Sequence, residues 1–440
     1  MYVHIAGIGG VGMSALAQTL LDQGIGVTGS DRLLDRGDLT GTLKRLQAQG
    51  VALFPQDGSG VTPQTARLVI SSAIESDNPE CVKARELAIP EIHRAAELAA
   101  ALSGYEVVAV AGTCGKSTVT AMLGQVLAGC GLDPQVVNGA EISGWDADGS
   151  RIGSVRPGKG RLAVVEVDES DKSLMAFSPA HAIITNASAD HFGMEETEAL
   201  FAAFRAKVPG TVIDGRDGVT EPDGIALEGW RGRFTWEGTV YTVPMPGRHN
   251  VLNAWYAVRM ARALGCAPEA IAAALATFPG VVRRLQTIGF CGKAMVLDDY
   301  AHNPEKLAAA WRTLSAAFPT GICAVWRPHG YGPLRKMMDA LTEMFATVCR
   351  PQDTLFLLPV YDAGGTADRT ISSRDLADRL AARGVKVRLV PDPIHAEREM
   401  HALAPTVGAL VTFGARDPDL PRIAARLATD SVNSTSCHPL

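Results

Sequence analysis

Two glycine-rich turns, each set between an apolar run and a helical pattern, constrain this chain more than anything else in it. The first is HIAGIGGVGMSALA near the N-terminus, and the second is VVAVAGTCGKSTVTAMLG, Val107 to Gly124. A strand that delivers a glycine turn into a helix N-terminus is the phosphate-binding unit of parallel α/β proteins, because glycine lets backbone N–H groups approach an anion that faces the helix dipole. Two such units leave two readings: one turn is there only for packing, or the chain holds two different phosphorylated molecules at once. The remaining pattern agrees with a parallel α/β fold. Short apolar runs (GVTGSD, ARLVISSA, RLAVVEVDES, HAIITNAS, KAMVLDDYAHNP, GICAVWRP, TLFLLPVY, VKVRLV, GALVTFGA) alternate with helical stretches such as SSRDLADRLAARG. The expected fold class is therefore α/β. Segment 210–246, rich in Gly, Asp, Trp and Thr, predicts a small β-extension, and HNVLNAWYAVRMARALG predicts a helix.

At 440 residues the chain exceeds one ordinary core and should divide into two or three domains. Breaks are expected before Tyr105 and near Pro279-Gly280. Apolar residues at 47% and charged residues at 20% are those of a globular protein, and a net charge of −6 leaves no basic footprint for nucleic acid or an anionic membrane. The eight cysteines form no CxxC pair, so reduced thiols are expected rather than a disulfide framework or zinc site. No basic-plus-apolar leader is expected ahead of the first strand, and no uncharged apolar run approaches the ~20 residues that cross a bilayer. The expected location is the cytoplasm.

Gly7, Gly9 and Gly12 form a GxGxxG, and Asp31 closes the following apolar run, where a carboxylate commonly meets a ribose or a base. NAD is the usual ligand of such a turn, which makes a dehydrogenase the first reading. The second turn opposes it. GTCGKST has a Gly-Lys-Ser core: amides to cradle phosphates, Lys116 to meet their charge, and the Ser117 hydroxyl for Mg²⁺. It is shorter than a strict P-loop, with Val110 where the first glycine would stand. A dehydrogenase has no use for it, whereas an ATP-consuming enzyme with a nucleotide-linked substrate uses both turns. RLAVVEVDES brings Glu166, Asp168, Glu169 and Asp171 to a strand end, where they could serve a metal or simply be solvated. His191, beside Asp190, follows the next strand and could be structural or a ligand.

These segments together resemble the Mur ligases of peptidoglycan synthesis, over almost the whole chain. HIAGIGGVGMSALA, VTGSD and VISSAIESDNPECVKARELAIPEIHRAAELA are similar to the UDP-binding domain of the branch that acts on UDP-N-acetylmuramate. GTCGKST is similar to the family's ATP loop, and EVDESD and TNASADH to its metal-binding strands. PGRHNVLNA and GVVRRLQ resemble nucleotide-facing segments, while DDYAHNP, WRPHGY and PVYDAGG resemble the closing domain. The resemblance implies three domains: a UDP-binding Rossmann-like domain (1–104), a central ATPase-like domain (105–280) and a C-terminal Rossmann-like domain (281–440).

It also implies the chemistry. ATP, with Mg²⁺, would phosphorylate the muramyl carboxylate to an acyl phosphate, which the amino group of L-alanine would attack. Gly9, Gly10, Gly12, Ser14, Asp31, Ser71 and Ser72 would contact the UDP-substrate. Gly112, Thr113, Cys114, Gly115, Lys116, Ser117 and Thr118 would form the ATP loop, with Lys116 on the γ-phosphate. Ser117, Glu166 and His191 would hold the metal. Asn250 and Asn253 would meet the adenine side, Arg284 and Asp299 the nucleotide, and His302 the incoming amino acid. The resemblance implies a monomer or homodimer.

Four features depart from the family pattern. Cys114 stands for a loop His, Asn303 for the second His of DDYGHHP, Gly330 for an Arg of PHRYTR, and segment 208–246 is short. Arg335 or Lys336 could compensate for the missing Arg. Alternatives are a related ligase with another acceptor, such as murein tripeptide, and a nucleotide-binding paralogue without catalysis.

Overall fold

The computed structural model describes residues 1–35, 37, 39–146, 148–169, 171–187, 193–217, 221–362, 368–415 and 417–429. The chain divides into two compact units, Met1–Val282 and Arg283–Leu440.

The first unit opens with a five-stranded parallel sheet. Its spatial order is Ala52–Phe54, Val27–Ser30, Tyr2–Ala6, Thr65–Ile70 and Glu91–His93. The order reverses between Tyr2–Ala6 and Thr65–Ile70, and an open parallel sheet holds its ligand at that reversal, beyond the strand C-termini. The first glycine turn leaves one of these two strands, and Ser71-Ser72 leaves the other.

A second, six-stranded sheet runs Val212–Asp214, His181–Ile184, Glu106–Ala111, Leu162–Glu166, Gln135–Val137 and Val155–Arg156, with only the last pair antiparallel. The strand that feeds the second glycine turn is thus flanked by the strands that lead into TNAS and VDES. A three-stranded antiparallel meander, Asp223–Glu228, Arg231–Trp236 and Thr239–Val243, forms the expected β-extension. Strand Val212–Asp214 joins the parallel sheet instead of that extension.

Strand alternation sorts the side chains. Ala109, Ala111 and Val165 join one apolar cluster that continues into Val3 and Ile5 of the first sheet and Leu16 and Leu43 of the helices beside it. Val108, Val110 and Val164 join another, with the helices Lys116–Gly129 and Arg248–Ala263. Met122, Leu123, Val126 and Leu127 of the first of these helices are fully buried. Each contributes about 1.5–3 kcal/mol by area burial, so the second glycine turn is mounted on a rigid element.

The second unit is a six-stranded sheet in the order Gln286–Cys291, Ala294–Asp299, Ala409–Phe413, Ile322–Trp326, Thr354–Leu357 and Val387–Leu389, parallel except for its first pair. Trp311, Trp326, Phe345 and Phe413 fill one face. The described cysteines are free thiols, and no described helix is long and apolar enough to cross a membrane.

Candidate active site

The first turn is built by its glycines and by Asp31. Gly7 has φ +73°, and Gly10 N–H bonds back to Gly7 O at 3.1 Å. Asp31 Oδ2 accepts from Gly9 N–H at 2.8 Å and its Oδ1 from Leu33 N–H at 3.0 Å. Both carboxylate oxygens are therefore engaged with backbone at the base of the turn. Helix Val11–Asp22 begins with no side-chain cap and no acidic residue in its first turn, which leaves its N–H groups and dipole for an anion. Ser14 is buried and its hydroxyl donates to Val11 O. Ser71 and Ser72 lie in the neighbouring loop, whose Ile74 reaches within 3.6 Å of where a Cβ on Gly7 would stand.

One cation reaches this turn without any local sequence signal. The Nη1 of Arg94 lies 2.9 Å from where a Cβ on Gly12 would be. Arg94 is the first residue of helix Arg94–Ala101 and pairs with Asp171 at 3.6 Å, which His93 also approaches at 3.9 Å. Asp171 thus meets the end of strand Glu91–His93 and the helix that follows it.

The second turn is a tight cradle. Gly112 has φ +123° and Gly115, the residue before helix Lys116–Gly129, has φ +89°. Thr185 and Asn186 strap the loop from the adjacent strand end. Thr185 Oγ1 and Asn186 Nδ2 donate to Cys114 O at 2.7 and 2.8 Å, Cys114 N–H donates to Asn186 Oδ1 at 2.9 Å, and Thr113 N–H donates to Asn186 O at 3.1 Å. Thr185 and Asn186 thus hold Cys114 by its backbone N–H and carbonyl, bonds that do not depend on which side chain stands at 114. Asn253 packs on the other side: a Cβ on Gly115 would lie 2.5 Å from its Oδ1. Asn253 Nδ2 in turn donates to Asn250 Oδ1, and Asn250 Nδ2 to Pro246 O.

Lys116 Nζ donates to Gly112 O and to Glu169 Oε2, both at 2.7 Å, with Asp168 at 3.6 Å. Burial works against its charge, but Glu169, Asp168 and Glu166 together raise its pKa. Burial also raises the Glu169 carboxyl, which Lys116 partly offsets. Ser117 and Thr118 are buried at the start of the helix. Glu166 accepts from Gly139 N–H at 2.7 Å. His191 lies outside the described residues. Among the described residues no group of three or more His, Cys, Asp or Glu side chains forms a cage. Mg²⁺ does not require one, since it commonly uses one or two protein oxygens beside phosphates and water. The Ser117 hydroxyl and the Glu166 carboxylate are donors of that type, and they fit such an ion.

The second unit assembles its own cluster. Asp299 is buried and accepts from Leu285 N–H and Ala301 N–H, both at 2.7 Å; burial pushes it up to about 6, against the pull of Arg284. His302 Nδ1 lies 3.0 Å from Tyr300 O, and its ring meets those of Tyr300 and His329 edge-on. Burial lowers its pKa to about 4, so it is neutral near pH 7. The Arg284 guanidinium stands 6.0 Å from the Tyr300 ring. Arg284, Asp299 and His302 are thus brought together. Asn303 is the cap of helix Pro304–Ala317, accepting from Lys306 N–H at 2.9 Å, a role that suits Asn better than His. Gly330 precedes helix Tyr331–Val348, and Arg335 is committed to Asp368 and Thr370 at 2.6 and 2.8 Å.

The folds and motifs of both units have known counterparts. The profile described as Mur ligase family, catalytic domain, matches residues 2–106, and that described as Mur ligase, glutamate ligase domain, matches residues 283–416. The UDP-N-acetylmuramate–L-alanine ligase of Rhizobium meliloti (strain 1021) is 34% identical, over 94% of this chain and 92% of its own length. The protein of the same name from Gloeobacter violaceus is 36% identical over 86% of this chain and 85% of its own. The crystal structure of the UDP-N-acetylmuramate-alanine ligase MurC from Thermotoga maritima matches with a TM-score of 0.80 at 24% identity, covering 99% of this chain and all of that one. A murein peptide ligase from Psychrobacter arcticus matches the fold at a TM-score of 0.64 and 19% identity over the full length of both chains. With two phosphate turns in one unit, a second α/β unit and full-length relatives above the 30% level, the chain belongs to the Mur ligase family.

Proposed function

We propose that this protein is an ATP-dependent ligase that joins L-alanine to the carboxylate of UDP-N-acetylmuramate, a C–N bond-forming step in peptidoglycan precursor synthesis. The observation that carries this reading is the presence, on one compact unit, of an uncapped diphosphate-type turn at Gly7–Gly12 and a strapped Gly112–Thr118 loop with its lysine. The full-length relatives support the choice of substrates.

In this reading Gly9, Gly10, Gly12, Ser14, Ser71 and Ser72 line the sugar-nucleotide side, with Asp31 holding the turn's shape. The substrate carboxylate attacks the γ-phosphorus of ATP, ADP leaves, and the alanine nitrogen then displaces phosphate from the acyl carbon. Catalysis of such a transfer consists mostly of positioning and charge neutralisation. Lys116 neutralises the transferring group. Ser117 and Glu166, with His191, would hold Mg²⁺, which supplies further neutralisation of phosphate oxygens. Gly112–Thr118, Asn250, Asn253, Arg284 and Asp299 form the ATP side. His302, neutral near pH 7, is suited to accept a hydrogen bond from the incoming amine. The working domain division is 1–104, 105–280 and 281–440.

The deciding assay is phosphate release from ATP and Mg²⁺ with UDP-N-acetylmuramate, across a panel of amino acids and the stem tripeptide. Release that rises with L-alanine is expected. Release only with the tripeptide or another amine would reassign the acceptor, and silence with every amine would overturn the ligase reading.

Arg94 adds a prediction. A guanidinium over the Gly12 turn would suit a diphosphate, and a hydrogen bond to a charged group is worth about 1.5–3 kcal/mol. Arg94→Ala is expected to raise KM for the sugar nucleotide about 10- to 100-fold, on the same scale. KM for ATP should hold, and steady-state titration of each substrate checks both.

A further inference from the structure

Among its described residues the connection from Asn138 to Ser154 has no helix and no long strand, yet it meets three separate parts of the first unit. At its start Gly139 lies directly on Glu166: its N–H donates to Oε2 at 2.7 Å, and a Cβ there would stand 2.5 Å from the same oxygen. Next, it grips the end of the unit. Ile142 bridges Val281, Val282 N–H donates to Glu141 O at 2.8 Å, and Ser143 N–H donates to Gly280 O at 3.1 Å. Finally, it is bolted to two helices of the first sheet. Arg45, on helix Gly41–Ala48, places Nη1 3.3 Å from both oxygens of Glu141 and Nη2 2.8 Å from Asp146. Farther along, Arg151 pairs with Asp22 at 2.6 Å, and Ile152 N–H donates to buried Gln18 at 3.3 Å, both on helix Val11–Asp22.

A segment without regular structure of its own takes its position from its anchors. Backbone bonds flank Gly139, from Asn138 N–H to Ser154 O at 2.9 Å and from Val282 N–H to Glu141 O, and Arg45 adds a side-chain anchor at Glu141, two residues from Gly139. A guanidinium fork that spans two carboxylates fixes direction as well as distance. The three side chains are only 26%, 32% and 24% exposed, so this is not a solvated surface pair of small effect. The helix that carries Arg45 also borders the first turn, since Leu43 reaches within 3.5 Å of where a Cβ on Gly9 would stand.

We propose that Arg45 is a positioning residue for Glu166: through Glu141 and Asp146 it holds the 138–143 segment against that carboxylate, and so ties the geometry of the ATP side to the sugar-nucleotide domain. The inference rests on the role of Glu166 proposed above. Arg45 touches neither ligand in this scheme, and it acts only through Gly139.

The test combines amide hydrogen exchange of the free protein with steady-state kinetics for R45M, E141Q and R45K. R45M and E141Q should each speed exchange in 138–143 while leaving helix Gly41–Ala48 protected. They should lower kcat by on the order of 10- to 100-fold, the scale of an ångström-level misplacement. KM for UDP-N-acetylmuramate should hold, and R45K should recover most of the protection and the turnover. Unchanged exchange in 138–143 would overturn the proposal. So would loosening that spreads equally through the first sheet, which would mark a general packing defect. If the wild type releases no phosphate with any amine, the ligase reading fails by itself, and exchange in R45M still decides whether Arg45 holds the segment.

Discussion

Lys116→Ala is expected to lower ATP-dependent turnover on the order of 10³-fold, the scale seen when a group that neutralises a transferring phosphoryl or oxyanion is removed. The argument begins with what the lysine does without a ligand. It sits 2.7 Å from Glu169 and 3.6 Å from Asp168, with Lys116 and Glu169 only 12% and 3% exposed. Its charge is therefore balanced before ATP arrives, and the cluster avoids a lone buried cation. Removing the lysine has two consequences that must be separated. It takes away the cation, and it leaves Glu169 buried without its partner, which costs about 3–5 kcal/mol when one member of a buried pair is deleted.

A loss of activity in Lys116→Ala could thus reflect a loosened loop. The double variant Lys116→Ala/Glu169→Gln removes the stranded charge. It should recover most of the thermal stability of the wild type while turnover stays low. Recovery of turnover in the double variant would show that the lysine is structural and that phosphate neutralisation lies elsewhere. Glu169→Gln alone frees the lysine from its strongest partner, and it should weaken nucleotide binding far less than Lys116→Ala does. Phosphate release and thermal melting on the three variants settle the matter.

The two turns were open to reading because their signals are local: glycines, a lysine and a hydroxyl lie consecutively between an apolar run and a helix. What surrounds them was not. Arg94 reaches Gly12 from another strand end, and no spacing in IPEIHRAAELA announces it. TNASADH draws attention to its histidine, whereas Thr185 and Asn186 are the residues that strap the ATP loop, using hydrogen bonds that exist only once two strands are paired. The acids of EVDESD illustrate the same limit. A strand end rich in carboxylates can be foreseen, but their division among three partners follows from tertiary placement: Glu166 to Gly139, Glu169 to Lys116 and Asp171 to Arg94. Asn303 shows the reverse case. Asn-Pro-Glu is a readable helix start, and the departure from the family's histidine has a local explanation in the cap it makes. The 138–154 connection has no periodicity at all, so its anchors appear only in the fold.

Gly112→Ala is expected to destabilise the protein by about 2–5 kcal/mol and to abolish measurable nucleotide binding at ordinary ligand concentrations, from strain and overpacking together. Two independent obstacles meet at this position. Its φ of +123° is a conformation that side chains with a Cβ rarely adopt. The added methyl would also stand 2.1 Å from Thr185 Oγ1, 2.9 Å from Thr185 N and 3.0 Å from Asn186 N. The hydroxyl could rotate away, but the two backbone nitrogens follow directly on strand His181–Ile184, and Thr185 N–H donates to Ala111 O at 3.0 Å, a bond that retreat would break.

Relief must therefore come from the loop, which would lose the bonds that Thr185 and Asn186 make to Cys114. Two other glycines separate the contributions. Gly131→Ala carries a positive φ of +80° with nothing within 4 Å, so it should show backbone strain alone, about 1 kcal/mol. Gly104→Ala has open space and no unusual φ and should be close to neutral. Melting temperatures and ADP binding across the three should rank Gly112 far below Gly131, and Gly131 slightly below Gly104. If Gly112→Ala melts like Gly131→Ala yet still loses ADP, the strap is dispensable for folding and serves only to shape the phosphate cradle. If it keeps ADP, the loop tolerates displacement, and the close packing around Thr185 is not what fixes the nucleotide.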